Sequence, residues 1–139
     1  MLEICVKTIT MAQKLQFHIS RISNEHSDWN RAILFFKDEL IILENRLSEI
    51  SRKYTNESVK SEVEHFQNQF IIQKSNLDTL KTKIKLHEKH MSDDTILHAQ
   101  HLTMETLSEH SLLQQDYLNL EKIIITLKSD FYKFLSKYM

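Results

Sequence analysis

The chain contains neither glycine nor proline in its 139 residues. These two residues interrupt helices and form tight turns more often than any others, and at ordinary usage about seventeen of them would be expected. Loops that cradle phosphate, and sharp turns that present a catalytic nucleophile, also depend on glycine. The sequence therefore predicts long helices joined by short polar turns, and any chemistry must come from side chains that project from helices.

Composition predicts one helical domain spanning residues 1–139, because 41% of the residues are hydrophobic and 27% are charged. The formal net charge is only −1, which disfavours binding to nucleic acid. The apolar runs are too short to cross a membrane, and the N-terminus does not resemble a signal peptide. A single cysteine, Cys5, cannot form an internal disulfide, so the expected location is cytoplasmic.

Three segments carry apolar residues at spacings that alternate between four and three, the pattern of packed helices. The first segment runs from Trp29 through Ile33 and Phe36 to Tyr54. The remaining two stripes are longer and include some polar members. They read Val59, Val63, Phe66, Phe70, Gln73, Leu77, Leu80, Ile84, His87, Met91 and then Ile96, Ala99, Thr103, Thr106, His110, Leu113, Tyr117, Leu120, Ile124, Leu127, Phe131, Phe134, Tyr138.

Polar clusters between these stripes predict helices over residues 28–54, 57–91 and 95–138, with a weaker N-terminal helix over residues 3–22. A continuous helix through Thr55 is the alternative to the first break. Because short connections join antiparallel neighbours, the expected fold is an all-α antiparallel bundle of three long helices with coiled-coil-like packing. The N-terminal helix would either pack as a fourth member or reach a partner chain.

Two features predict self-association, with a homodimer expected. The apolar arc of the first long helix is widened by four residues beside the main stripe: Leu34, Phe35, Ile41 and Ile42. The third helix is expected to extend about nine residues past its partner, roughly 13 Å at helical rise. This end would expose Phe131, Phe134 and Tyr138 unless it folds over the bundle or frays.

Eight histidines are the feature with most chemical content. His98, His101 and Glu105 share one helical stripe and form a set able to bind Zn or non-haem Fe, with the N-terminal helix supplying His18, Glu25 or His26 from the opposite side. His87-x-x-His90 and His98-x-x-His101 also flank the second turn. The alternative interpretation is a solvated polar face. Further metal candidates on the predicted helices are Glu62 and His65.

Gln73 and His110 occupy stripe positions that are otherwise mostly apolar. Aligning the predicted antiparallel helices brings Glu39 opposite Gln73 and Asn76 opposite His110, so these four residues are expected to meet in one buried polar layer. Such a layer fixes the register or the oligomeric state of a bundle. Alternatively, it forms a ligand or metal pocket that includes His110.

The sequence therefore predicts a non-enzymatic interaction or assembly module with an unidentified protein partner, acting away from nucleic acid and membranes. The alternative is a metal-binding helical-bundle protein with a stress or storage role. Its metal ligands would come from the set His98, His101, Glu105 and His110.

Overall fold

The computed structural model describes the backbone of residues 2–97 and 102–138, and the side chains of these ranges from residue 19 onward. Within the described ranges all regular structure is helical, which confirms the predicted all-α class. The three helices are α1 (Leu2–Lys53), α2 (Glu57–Leu97) and α3 (Met104–Tyr138). Each packs against the other two to form the bundle.

α1 is one continuous helix, whereas the sequence predicted separate helices over residues 3–22 and 28–54. The residues between them are polar, but Ile22, His26 and Trp29 continue the alternating spacing and are all buried. Burial of this stripe outweighs the weak helix propensity of the polar residues around it. The N-terminal segment therefore extends α1 and is not a fourth helix.

The first turn lies where the sequence predicted it, at residues 54–56. The Tyr54 amide donates to the Ile50 carbonyl at 3.1 Å, which closes the last turn of α1, and the Asn56 carbonyl accepts from the Lys60 amide at 3.0 Å at the start of α2. Arg52 and Lys53 occupy the last turn of α1, where the helix dipole favours cations. The alternative of a continuous helix through Thr55 is therefore wrong.

The second turn lies later than predicted, because α2 continues through residues 92–95 to Leu97. The residue that ends the connection is Thr103, whose Oγ1 accepts from the Thr106 amide at 3.2 Å and thus caps α3. Asp94 Oδ2 accepts from the Thr103 amide at 3.0 Å and from its hydroxyl at 3.1 Å. The third helix was predicted to begin at residue 95, but Asp94 lies within α2 and stabilises the start of α3 through these hydrogen bonds.

The later turn removes the predicted overhang of the third helix. α3 begins at residue 104 rather than 95, so it ends level with the start of α2. The rings of Phe66 and Phe134 lie 5.0 Å apart, and those of Tyr54 and Tyr138 lie 5.2 Å apart. Phe131 and Phe134 are 0% and 4% exposed, so the prediction of exposed association aromatics at this end is wrong. Tyr138 is half-buried.

Ion pairs between helices show the register of the bundle. Lys37 pairs with Asp78 and Lys74 with Glu44, each at 2.6 Å, so residue numbers rise along α1 as they fall along α2. Tyr54 and Tyr138 meet at the C-terminal ends of α1 and α3, which therefore run parallel. The core consequently consists of successive layers to which the three helices contribute their stripe residues, most of them buried.

Candidate metal centre

Three buried imidazoles meet in one layer of the core, one from each helix. The ring centroids of His26 and His87 lie 5.1 Å apart, those of His26 and His110 5.3 Å, and those of His87 and His110 5.4 Å. One ring nitrogen from each residue lies within 4.8 Å of the other two. The three residues are 2%, 0% and 7% exposed. We call this cluster the histidine triad.

The heptad spacing of each helix brings the histidines together. His26 lies between Ile22 and Trp29 in the buried stripe of α1, four and three residues away, and His87 and His110 hold equivalent positions in α2 and α3. Positions at this spacing point into the bundle whatever side chain they carry. The triad is therefore a polar layer within an otherwise mostly apolar core.

Each histidine also lies beside a glutamate from another helix. His110 Nε2 is 2.8 Å from Glu25 Oε2, His26 Nδ1 is 3.4 Å from Glu88 Oε1, and His87 Nδ1 is 3.7 Å from Glu109 Oε1. The last separation is too long for a hydrogen bond but close enough for charge interaction. The three carboxylates therefore surround the triad from outside.

Four ring nitrogens of the triad have no hydrogen-bond partner among the described residues. They are His26 Nε2, both ring nitrogens of His87, and His110 Nδ1, all of them buried. Buried polar atoms in folded proteins are nearly always paired, because leaving one unpaired costs about 1–3 kcal/mol. Such a concentration of unpaired nitrogens in one layer therefore suggests an additional ligand.

Burial keeps His26 and His87 in the form that binds metals. The pKa of His26 is lowered to about 4. Burial is the largest cause, and the neighbouring imidazoles of His87 and His110 contribute to the same shift. Burial also lowers the pKa of His87, although the charge of Glu109 opposes this shift. At neutral pH both rings are uncharged, and neutral imidazole is the metal-binding species.

The two sides of the triad differ. On one side Trp29 stacks on His110 with 5.2 Å between centroids. The buried apolar residues Ile84 and Leu113 belong to the same layer of the core as Trp29. On the other side lies a surface groove of about 330 Å³ between α1 and α2, which is lined by Met91 and, of the three histidines, by His26 alone. The groove therefore approaches the triad at His26, whereas Thr106, on the same side, is buried and does not line it.

Among the described residues, the triad contains His110 from the predicted metal set and His26, which was predicted as a partner for that set. His110 belongs to the triad, whereas Glu105 is exposed in the first turn of α3. His98 and His101 lie outside the described residues. Glu62 accepts a hydrogen bond from the Tyr138 hydroxyl at 3.3 Å, and His65 is exposed beside Phe66, so neither is near the triad.

The predicted polar layer is divided among separate sites. Asn76 Nδ2 donates to Gln73 Oε1 at 3.2 Å, but Glu39 forms an ion pair with Lys128 of α3. His110 lies far along the bundle, with the triad. The expected meeting of all four residues is therefore wrong, because the second turn was placed too early and the assumed facing of α2 and α3 was displaced.

Sequence reasoning missed the triad for an identifiable reason. His87 was already assigned to the buried stripe of α2, but His26 was considered only as a partner for His98 and His101. Extending the stripe of Trp29 back by three residues reaches His26, and by four more reaches Ile22. The signal was present, but the expected break before Trp29 concealed it.

Comparisons with protein-family models, with curated proteins and with solved structures find no match to this chain. Across the part of the chain that the structure describes, no helix combines the length and apolar character needed to cross a membrane. What the fold and the site define is a three-helix bundle with a buried cluster of three histidines.

Proposed function

We propose that the protein binds one divalent transition-metal ion, Zn²⁺ by preference, through His26, His87 and His110. The observation that supports this proposal is the meeting of three buried, largely unpaired imidazoles from three helices. Removing three polar rings from water without pairing them destabilises the fold. A metal ion offsets that cost, because it bonds to a lone pair of each ring.

The distances suit a small contraction on binding. Zinc binds imidazole nitrogen at about 2.0–2.1 Å, so tetrahedral ligands lie about 3.3 Å apart. The triad nitrogens lie within 4.8 Å of one another, so a movement of about 1 Å would bring them into range. Side-chain rotations supply a movement of this size without a change in the helix register.

The surrounding carboxylates suit a cation. Glu25, Glu88 and Glu109 each approach the outer nitrogen of one histidine, at 2.8, 3.4 and 3.7 Å. A carboxylate in this position orients the ring and makes its opposite nitrogen a stronger ligand. Their charges also offset that of a divalent ion in the core, where an unpaired charge would be costly.

The ligand set favours zinc over iron. Three imidazoles without a carboxylate in the cluster suit Zn²⁺, whereas non-haem Fe²⁺ sites commonly use two histidines and one carboxylate. In the described residues this is a single cluster, which supports one ion per chain. A single ion suits a structural or chemical role better than the storage role considered from the sequence.

Equilibrium dialysis against zinc tests the proposal. Wild-type protein without an affinity tag should retain one zinc per chain, and the His87→Gln variant should lose this ion. His65→Gln is the matched control, because His65 lies on the same helix but is exposed. Circular dichroism should show that both variants remain helical. If wild type retains no zinc, or if His87→Gln retains it fully, the proposal is wrong.

A second proposed property is self-association as a homodimer. Four apolar side chains on the outer face of α1 are exposed by 46–60% in the single chain: Leu34, Phe35, Ile41 and Ile42. Apolar side chains grouped in this way favour contact with another protein surface. We propose the cytoplasm as the location, since the lone cysteine suits a reducing compartment.

Sedimentation of the Phe35→Asp variant tests the dimer. The wild type should sediment as a dimer at micromolar concentration and the variant as a helical monomer. Leu118→Asp is the control, because Leu118 is similarly exposed, at 52%, but lies on α3. A monomeric wild type would contradict this second proposal and would leave zinc binding unaffected.

A further inference from the structure

We propose that the start of α3, residues 104–112, is a flap that opens in the metal-free protein to admit zinc and closes on the bound ion through His110. The inference rests on the proposed zinc site and adds the way in which that site is loaded and emptied. Two features of the molecule support it. The triad is enclosed in the closed bundle, and this segment of α3 is attached without a buried hydrophobic side chain.

The triad is enclosed by the layers of the core on either side of it. The six residues of these two layers are all buried: Trp29, Ile84, Leu113, Ile22, Met91 and Thr106. Of the triad, only His26 lines the neighbouring surface groove, whereas His87 is 0% exposed. In the described part of the chain, a metal ion therefore reaches all three histidines only when part of the bundle moves.

The flap buries no hydrophobic side chain. Its buried residues are Thr106 and His110, both polar, and the buried hydrophobic residues of α3 begin at Leu113. The two leucines of the flap, Leu107 and Leu112, are 39% and 62% exposed. Segments with few buried apolar contacts open at a lower free energy than the rest of a fold. The start of α3 is therefore the part of this helix that opens most readily.

Polar contacts hold the flap against the other two helices. His110 pairs with Glu25 of α1 and Glu109 pairs with His90 of α2, each at 2.8 Å. Glu25, Glu109 and His90 are partly exposed, and pairs of this kind contribute little stability because water replaces them when they separate. The flap is thus held by contacts that opening exchanges for contacts with water.

Opening of the flap also relieves the metal-free triad. His87 has two buried ring nitrogens without a partner, and His110 has one. Withdrawal of His110 lets water reach these nitrogens, which removes the cost of burying them unpaired. Opening also loses the stacking of Trp29 on His110, so the closed form persists as well. With zinc bound, opening breaks a bond to the metal, and the closed form is strongly favoured.

Two of the ligands remain in place when the flap opens. His26 and His87 lie on α1 and α2, which pack against each other, and their ring centroids are 5.1 Å apart. These two histidines receive the ion first, and closure of the flap adds His110 as the third ligand. Release follows the reverse order, so His110 departs before the ion leaves.

Amide hydrogen exchange of the full-length, metal-free protein tests the opening. We expect the amides of residues 108–112 to exchange faster than those of residues 124–131, in the second half of α3, by about tenfold or more. Free zinc at about 100 times its Kd should slow exchange at residues 108–112 by about a hundredfold, because the closed form binds zinc far more tightly. Equal exchange of the two segments in the metal-free protein would overturn the inference.

The rates of zinc binding test the flap as the route of entry. The Thr103 hydroxyl oxygen caps α3 by accepting from the Thr106 amide, and its amide and hydroxyl donate to Asp94. Thr103→Ala therefore weakens the closed flap with and without zinc. Stopped-flow mixing should show association and dissociation rate constants both raised about fivefold, with Kd unchanged. Tyr138→Phe is the control, because it removes a hydrogen bond to Glu62 at the other end of α3 and should leave both rates unchanged.

The outcomes separate the flap from the zinc site. Both variants should keep wild-type helicity in circular dichroism. Unchanged rates in Thr103→Ala, or exchange at residues 108–112 that bound zinc does not slow, would overturn the inference and leave the zinc site intact. A weaker affinity with an unchanged association rate would also overturn it, because Thr103 would then support the ligands and not a flap. A wild type that retains no zinc on dialysis would remove both proposals.

Discussion

The imidazole rings of His87 and His110 stack across the interface of α2 and α3, with centroids 5.4 Å apart and planes 25° apart. Burial lowers the pKa of His87, so its ring is uncharged in this stack at neutral pH. The neutral state leaves lone pairs on buried nitrogens. The central property of the molecule follows from this: its core contains three buried histidines whose ring nitrogens lie close enough to share a ligand.

The metal-free protein should lose stability as the pH falls. The pKa of His26 is about 4 in the folded protein and about 6.5 in the unfolded chain. Below pH 6.5 the unfolded chain gains a proton that the folded protein excludes until about pH 4. The free energy of unfolding therefore keeps its full value above pH 6.5. It decreases as the pH falls from 6.5 to about 4, where the contribution of neutral His26 is lost. The loss is about 3 kcal/mol.

Urea unfolding at pH 7.5 and pH 4.5 measures this loss. Other groups also titrate in this range, so the matched comparison is the His26→Leu variant, in which the acid-induced loss should be smaller by about 2 kcal/mol. An equal loss in the wild type and the variant would show that folding does not lower the pKa of His26.

Replacing the whole triad with leucine should stabilise the metal-free protein. The change removes the unpaired ring nitrogens and continues the apolar core through this layer. We expect the free energy of unfolding to rise by about 1–4 kcal/mol, with a higher Tm in calorimetry. A lower Tm would indicate that the histidines stabilise the fold without metal, which would remove a main reason to infer a bound ion.

A carboxylate beside the triad should control zinc affinity. Glu109 approaches His87 at 3.7 Å and also contacts His90 at 2.8 Å, so the Glu109→Gln variant loses its charge at the site. Titration with a competing chelator should show zinc affinity reduced by about 10–100-fold. Glu105→Gln is the control, because Glu105 lies on the same helix but is exposed. Equal affinities in the two variants would contradict the role of Glu109.

The aromatic cluster at the other end of the bundle should carry much of the stability. Phe70 is fully buried and lies 5.1 Å from Phe131, centroid to centroid. Phe70→Ala should cost about 3–5 kcal/mol in urea unfolding. Ile71→Ala, on the adjacent exposed position, should cost less than about 0.5 kcal/mol. Similar costs at the two positions would contradict the assigned register of α2.

Much of the fold could be predicted from the sequence because each helix has its own periodic signal. The whole buried stripe of α2, from Val59 to Met91, was read from spacing alone. The second turn could not be placed in this way, because it depends on a contact between distant residues. Asp94 accepts from Thr103, nine positions later, and polar residues that resemble a cap lie inside α2 instead.

The site was harder to predict because it depends on the register of three helices at once. His110 was recognised as an unusual core residue, but its partners were assigned from a second turn that was placed too early. An error of a few residues in the position of a turn changes which residues of two neighbouring helices lie opposite each other, by one or more layers of the core. Gln73 and Asn76 were grouped with His110 for this reason. His26 and His87 could have been found by searching all three stripes for histidine.

Trp29 provides the most direct test of the zinc site, because it is the single tryptophan of the chain and its ring lies 5.2 Å from His110 and 5.5 Å from His26. Titration of the metal-free protein with Co²⁺, which occupies zinc sites and quenches nearby indole fluorescence, should quench Trp29 with an end point at one equivalent. Excess zinc should restore the emission, and His87→Gln should abolish the quenching. Binding of cobalt without quenching of Trp29, or quenching that persists in His87→Gln, would place the metal elsewhere and contradict the proposed site.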